Sequence, residues 1–170
     1  MYDTDVIISG GGMVGAALAL ALSQAGIKVA LLEKHPPVAF VNDSPVDLRV
    51  SSLNLRSERW LTQLGAWPAL ANMRVCPYRY LQAGEGAAAV KFSADDIGGN
   101  HLGHIVENNL VQLALWQQFN PLVEVHTEAE IAELRQTDAQ ATVRLSDGRQ
   151  LSAKLVIGAD GAQSTVRQLA

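Results

Sequence analysis

An α/β fold with a parallel sheet and an added antiparallel meander is what this sequence predicts, and three stretches carry the prediction. The first is a short apolar run, Val6 to Ser9, which meets a glycine cluster and then an Ala- and Leu-rich stretch from Met13 to Ala25. The second is another apolar run, Lys28 to Leu32, closed by the acid Glu33. The third is a pair of alternating segments, Ala141 to Leu145 and Leu151 to Ile157, joined by Ser146-Asp147-Gly148-Arg149. Short apolar runs bounded by glycine read as buried strands, and the longer Ala/Leu stretch reads as a helix. Strand, helix and strand in close succession make a βαβ unit with parallel strands. Alternation on both sides of an Asp-Gly turn reads as a hairpin.

The remaining elements follow in order. His35 to Asp47 is a loop, with Pro36, Pro37 and Pro45. Ser51 to Leu64 has apolar positions at helical spacing and predicts a helix stopped by Gly65. Tyr78 to Phe92 reads as extended structure interrupted at Gly84 and Gly86, and Asp95 to Asn100 as a polar loop. Gly103 to Val106 predicts a short strand, and Asn109 to Phe119 a helix ended by Pro121. After Ile157 comes Gly158-Ala159-Asp160-Gly161, with a helix beginning near Ala162.

Composition narrows the class. The 170 residues suffice for one domain with its own core, and residues 1–170 are read as one unit. A hydrophobic share of 48% against 18% charged is too apolar for disorder. The net charge of −4 gives no general attraction for nucleic acid, so no such partner is expected. The lone Cys76 cannot form an internal disulfide, which fits a reducing compartment. The start lacks the basic region of a signal peptide, and the apolar run Val14 to Leu22 is too short to span a bilayer. A cytoplasmic protein is expected, with peripheral contact at the inner membrane left open.

The chemistry is concentrated in Gly10-Gly11-Gly12-Met13-Val14-Gly15. This is a G-x-G-x-x-G pattern between a predicted strand and a predicted helix, the context its mechanism needs. Gly10 permits the tight turn, Gly12 lets a diphosphate approach the backbone, and Gly15 lets helix and strand pack closely. The N–H groups at the helix start, around Met13 and Val14, face the phosphates with the positive end of the helix dipole. Glu33, at the end of the second strand, suits an adenosine ribose: its carboxylate accepts from the 2′-hydroxyl and repels a 2′-phosphate. The site is therefore expected to hold FAD or NAD rather than NADP. A P-loop is excluded because no Lys-Ser or Lys-Thr follows the glycines.

Other constellations read as structural. His101 and His104 have no matching ligand set nearby in sequence, so no metal site is expected. Glu124, Glu128, Glu130 and Glu133 read as a solvated acidic face, and Trp60, Trp67 and Trp116 as packing residues. No G-x-S-x-G elbow supports a hydrolase. Asp147-Gly148 is a turn, whereas Asp160-Gly161 joins a strand to a helix and can aim a carboxylate at a ligand.

Taken together, these motifs resemble the single-component flavoprotein aromatic hydroxylases, the relatives of para-hydroxybenzoate hydroxylase, over essentially the whole chain. Gly10 to Gly15 with Glu33 is similar to their first FAD motif. Asp160-Gly161, with Ser164 and Arg167, is similar to their Asp-Gly motif, which serves FAD and transient NAD(P)H. Arg49 matches an arginine near the flavin diphosphate. His104-Ile105-Val106-Glu107-Asn108-Asn109-Leu110 resembles the segment that reaches the ribityl chain, with Glu107 where most members carry Arg or Gln.

Leu48-Arg49-Val50-Ser51, His101 to Asn108 and Lys154 to Gly161 most resemble the ubiquinone-biosynthesis hydroxylases, and Cys76-Pro77-Tyr78-Arg79 leans toward the demethoxyubiquinol hydroxylase branch. The resemblance implies a Rossmann-like FAD-binding domain. The expected activity is monooxygenation of a polyprenylated phenol or quinol, with FAD as cofactor, NAD(P)H as reductant, dioxygen as co-substrate and a lipid-like aromatic substrate. It names no catalytic acid or base. The family's third flavin motif and substrate sheet have no counterpart here, so the chain is expected to be the first part of a larger two-domain enzyme, inactive by itself. Two alternatives stay open: an FAD-dependent reductase or epoxidase acting on isoprenoid lipids, and a dinucleotide-binding module without chemistry of its own.

Overall fold

A computed structural model describes residues 2–85 and 88–170. The elements are β1 (Val6–Ser9), α1 (Met13–Gln24), β2 (Val29–Glu33), β3 (Val50–Asn54), α2 (Leu55–Gln63), α3 (Trp67–Ala71), β4 (Val75–Tyr78), β5 (Tyr80–Glu85), β6 (Ala88–Ser93), β7 (Gly103–Glu107), α4 (Asn108–Trp116), β8 (Val123–Thr127), β9 (Ile131–Gln136), β10 (Ala141–Leu145), β11 (Gln150–Ala153), β12 (Leu155–Gly158) and α5 (Thr165–Leu169).

The central sheet has the order β12-β1-β2-β8, with every pairing parallel. It is covered on both faces, which is why β1 and β2 read as unbroken apolar runs rather than alternating ones. Ile8, Val29 and Leu31 face α1 through Ala19. Ile7, Ala30 and Leu32 face the meander β11-β10-β9 through Val143, Leu145 and Ala153. On its other side α1 packs Ala16 and Leu20 against Leu110, Ala114 and Leu115 of α4. A helix enclosed by a sheet and a second helix needs apolar residues nearly all round, as its sequence has.

The βαβ unit, the Gly103 strand, the Asn109 helix and the Asp147-Gly148 hairpin lie where the sequence predicts them. Two expectations need correction, the helix at Ser51 and the single arm from Leu151, while the extended reading of Tyr78 to Phe92 holds. The helix expected over Ser51 to Leu64 is a strand and then a helix. Val50–Asn54 alternates in exposure and pairs antiparallel with Gly103–Glu107, a partner distant in sequence. Only at Asn54 does the helix begin, where the side chain accepts a hydrogen bond from Ser57 N–H at 2.9 Å.

The extended stretch from Tyr78 to Phe92 is the end of β4 followed by the hairpin β5–β6. The interruption expected at Gly86 lies outside the described residues. The arm Leu151 to Ile157 divides at Lys154: β11 stays in the meander and β12 joins the central sheet beside β1. Asp5 holds the crossing, accepting from Lys154 N–H at 3.1 Å through its carbonyl and from Lys154 Nζ at 2.9 Å through its carboxylate.

The acidic stretch also contains two strands, β8 and β9, that the sequence reading passed over. Their glutamates stand on exposed or half-buried positions, while Val123 and Ile131 turn inward. Among the described residues, no helix is long and apolar enough to cross a membrane.

Candidate dinucleotide site

The site forms where β1, β2 and β12 end side by side. Gly10 has φ of +100°, and a Cβ there would lie 2.4 Å from the carbonyl oxygen of Ala159, just beyond β12. Gly15 is tighter still: a Cβ would meet the Gly10 carbonyl oxygen at 1.8 Å. Gly12 differs, since a Cβ there would meet nothing within 4 Å. Its missing side chain serves open space rather than packing, as a site for an approaching ligand requires. Gly12 also caps α1 without a side-chain hydrogen bond, and the first turn carries no acid. Among the described residues, the N–H groups of Gly12, Met13 and Val14 have no acceptor. Four such groups are orphaned at any helix start, and here they open on solvent with the positive dipole end.

Glu33 ends β2 beside them. Its Oε2 accepts from Gly11 N–H at 2.6 Å and its Oε1 from His35 N–H at 2.8 Å, so the acid also sets the shape of the glycine turn. The Gly11 carbonyl is held from behind by Gln112 Nε2 at 2.9 Å and Trp116 Nε1 at 2.8 Å. The sequence reading missed the parts played by Gln112 and Trp116. No local signal reveals them, because the bonds join positions about a hundred residues apart; Trp116 was expected only to pack, and it also donates.

Asp160 stands beside Gly10 on the rim of a groove of about 410 Å³ lined by Gly10, Gly12, Glu33, Asp160, Gly161 and Thr165, among others. Its Oδ2 accepts from Thr165 N–H at 2.8 Å and Val166 N–H at 3.1 Å, which caps α5. Its Oδ1 is buried and has no partner among the described residues. Burial acts to raise this carboxyl. The Ser164 hydroxyl beside it and the N–H groups of Val166, Asp160 and Thr165 outweigh burial and hold it below the ordinary carboxylate range. The ionised group therefore stabilises the fold above about pH 4, and that contribution is lost as pH falls through the lower folded value. Asp160→Asn is expected to flatten the acid limb of a stability profile measured by chemical denaturation from about pH 6 to pH 3. An unchanged limb would mean that the cap bonds do not favour the charged form.

Glu107 ends β7 in the second sheet, β3-β7-β4, and Arg49 lies at the border of that sheet. Arg49 immediately precedes β3 and is exposed, and its guanidinium has no acceptor among the described residues. Glu107 is only 4% exposed. Its Oε1 accepts from Arg74 Nε at 2.7 Å, and its Oε2 accepts from Asp47 N–H at 2.7 Å. Both oxygens are thus engaged in fixing the loop before β3. Arg74 extends the same tie to the Ser44 carbonyl at 2.9 Å.

An uncapped helix start, a glycine facing open space, an acid at the second strand end and an unpartnered Asp160 oxygen fit an adenine dinucleotide. Residues 3–170 match a family described as FAD binding domain. The chain belongs to this FAD-binding family. It is 43% identical over 170 residues to the 3-demethoxyubiquinol 3-hydroxylase of Escherichia coli (strain K12), covering 98% of this chain and 44% of that one. It is 35% identical over 184 residues to the mitochondrial ubiquinone biosynthesis monooxygenase COQ6 of Rattus norvegicus, covering 98% and 38%. Among solved structures, the p-nitrophenol 4-monooxygenase PnpA of Pseudomonas putida DLL-E4 superposes with a TM-score of 0.74 at 26% identity, covering 98% of this chain and 43% of that one. The Diels-Alderase PyrE3 does so at 0.76 and 26%, covering 98% and 34%. The FAD-binding domain thus spans about two fifths of the length of the curated relatives it matches.

Proposed function

We propose that the protein carrying this domain is an FAD-dependent monooxygenase that hydroxylates the ring of a polyprenylated phenol or quinol in ubiquinone biosynthesis. The 43% identity to a 3-demethoxyubiquinol 3-hydroxylase across nearly the whole chain carries the reading. FAD supplies the redox chemistry when bound, passing electrons from NAD(P)H to dioxygen. The residues of this chain bind and orient. The N–H groups of Gly12, Met13 and Val14 take the diphosphate, with Gly10 and Gly15 holding the turn that presents them. Glu33 accepts from the adenosine ribose. Asp160 and Gly161 border the groove beside Gly10, where the Asp160 carboxylate accepts from a ligand hydroxyl. Arg49 offers its unpaired guanidinium to the diphosphate. Glu107 acts at one remove, holding through Arg74 and Asp47 the loop that leads to Arg49. The lipid tail of such a substrate brings the whole enzyme to a membrane surface or into a biosynthetic complex.

Incubation of the full-length protein with NAD(P)H, a prenylated phenol and isotopically labelled dioxygen tests the activity. One labelled oxygen in the product is expected. A reduced or epoxidised lipid side chain in place of ring hydroxylation would overturn the reading. The binding assignment has its own test. Glu33→Ala removes a charge-assisted acceptor worth roughly 1.5–3 kcal/mol, so FAD should bind about ten- to hundredfold more weakly by titration. Unchanged affinity would remove Glu33 from the site.

A further inference from the structure

A second cluster of ligand-type side chains lies where β7 meets α2, outside the residues that line the dinucleotide groove. Glu58 is on α2, His104 on β7, and His101 in the segment just before β7. Glu58 Oε2 is 2.8 Å from His101 Nε2 and 3.4 Å from His104 Nδ1. One ligand atom from each residue lies within 4.8 Å of the others. The two imidazoles are 4.5 Å apart between centroids, and Trp67 packs edge-on against His104 at 4.9 Å. The His104 side chain is 10% exposed, and its Nδ1 is buried with no hydrogen-bond partner among the described residues. A buried ring nitrogen left unpaired is costly, and this one is directed toward a carboxylate and a second imidazole. The sequence reading set the histidines aside because no third ligand stands near them in the chain. The fold supplies it from 43 residues away.

We propose that Glu58, His101 and His104 form a binding site for a divalent late first-row metal ion, with Zn²⁺ the best match, and that the ion clasps α2 to β7. Two imidazole nitrogens and one carboxylate oxygen suit such an ion, with a remaining position for water. Hard cations such as Mg²⁺ and Ca²⁺ prefer all-oxygen sets and fit poorly. Tetrahedral zinc with bonds of about 2.0–2.1 Å needs ligand atoms about 3.4 Å apart, so the cluster is within small side-chain rotations of the required geometry. Metal binding forms two bonds to nitrogen and one to oxygen. His101 binds as the neutral tautomer with its ring proton on Nδ1, which frees Nε2 for the metal, and His104 keeps its ring proton on Nε2, so that Nδ1 gains the partner it lacks. His101 and Glu58 keep side-chain exposures of 25% and 22%, which gives the ion a way in.

The test uses the full-length, FAD-loaded protein, stripped with a chelator, incubated with zinc chloride, desalted and assayed for metal. One retained equivalent attributable to this cluster is expected, with a rise in the thermal midpoint on zinc addition. Cobalt(II) in place of zinc should give the visible absorption of a low-symmetry nitrogen–oxygen site. His101→Ala and Glu58→Ala should each lose the equivalent and the cobalt band, whereas His126→Ala should keep both. His101 is the more exposed histidine, so its removal tests the site even where loss of buried His104 prevents folding; an unchanged flavin spectrum reports that the variant is folded. Failure of the wild type to retain zinc would overturn the proposal. So would retention by folded His101→Ala equal to that of the wild type.

Discussion

Gly15→Ala is expected to destabilise this domain by about 3 kcal/mol and to weaken FAD at least about a hundredfold. The new Cβ would lie 1.8 Å from the Gly10 carbonyl oxygen, 3.0 Å from its carbon and 3.2 Å from Ala159 Cβ. None of these is the far end of a flexible side chain, so backbone has to move. Overpacking a filled site costs typically about 1–3 kcal/mol, and the upper end applies when the obstacle is main chain. The movement pushes α1 away from the ends of β1 and β12, and with it the N–H groups that face the diphosphate. For a domain of this size, 3 kcal/mol lowers the thermal midpoint by roughly 6–12 °C.

Gly26→Ala is the control. Gly26, unlike Gly15 in its helix, has a positive φ, +83°, and nothing lies within 4 Å of a Cβ there. It should cost only left-handed strain, about 1 kcal/mol, and leave FAD affinity unchanged. Thermal unfolding and flavin titration on both variants decide the matter. Equal losses would mean that the close approach at Gly15 is not what holds α1 in place.

Arg74→Met should have the next largest effect, a loss of about 2–3 kcal/mol with release of the loop before β3. The Glu107 side chain is 5% exposed and that of Arg74 30%. Removing the guanidinium leaves a buried carboxylate with only the Asp47 N–H as donor. Breaking a fully buried pair costs about 3–5 kcal/mol, and the partial exposure of Arg74 brings the figure down through solvent screening. The bond to the Ser44 carbonyl goes as well, together with the cation–π contact over Phe40 at 5.3 Å. Methionine keeps the apolar stem, so packing loss is kept small. Chemical denaturation gives the stability change, and limited proteolysis within residues 38–48 reports the loop. Stability within about 0.5 kcal/mol of the wild type, with the loop still protected, would show that the pair holds nothing in place.

The β1–α1–β2 unit was legible because each of its signals is local. Apolar runs, the three spaced glycines and the acid after the second run all lie within about thirty residues, the span of one βαβ unit. The hairpin around Asp147-Gly148 was legible for the same reason. The helix expected over Ser51 to Leu64 failed because Val50–Asn54 takes its conformation from β7, some fifty residues later, and strand propensity depends on such partners. The second hairpin arm was read as one strand because its alternation continues through Lys154; contacts with Asp5, from the other end of the chain, divide it.

For the site, the sequence by itself determined the chemistry on offer: a glycine turn able to bare helix N–H groups, an acid at the second strand end, and an Asp-Gly pair between a strand and a helix. Glycine conformational freedom and helix-end polarity are properties of short segments, so they can be read without a fold. The tertiary structure decided which groups meet. Parallel pairing of Val6–Ser9 with Leu155–Gly158 brings Asp160 beside Gly10, and α4 brings Gln112 and Trp116 behind Gly11. Burial turns Glu107 toward Arg74, and the crossing of α2 with β7 joins Glu58 to His101 and His104. Each of these depends on contacts between residues far apart in the chain and on the removal of water from charged groups, and neither leaves a mark at the spacing of a motif.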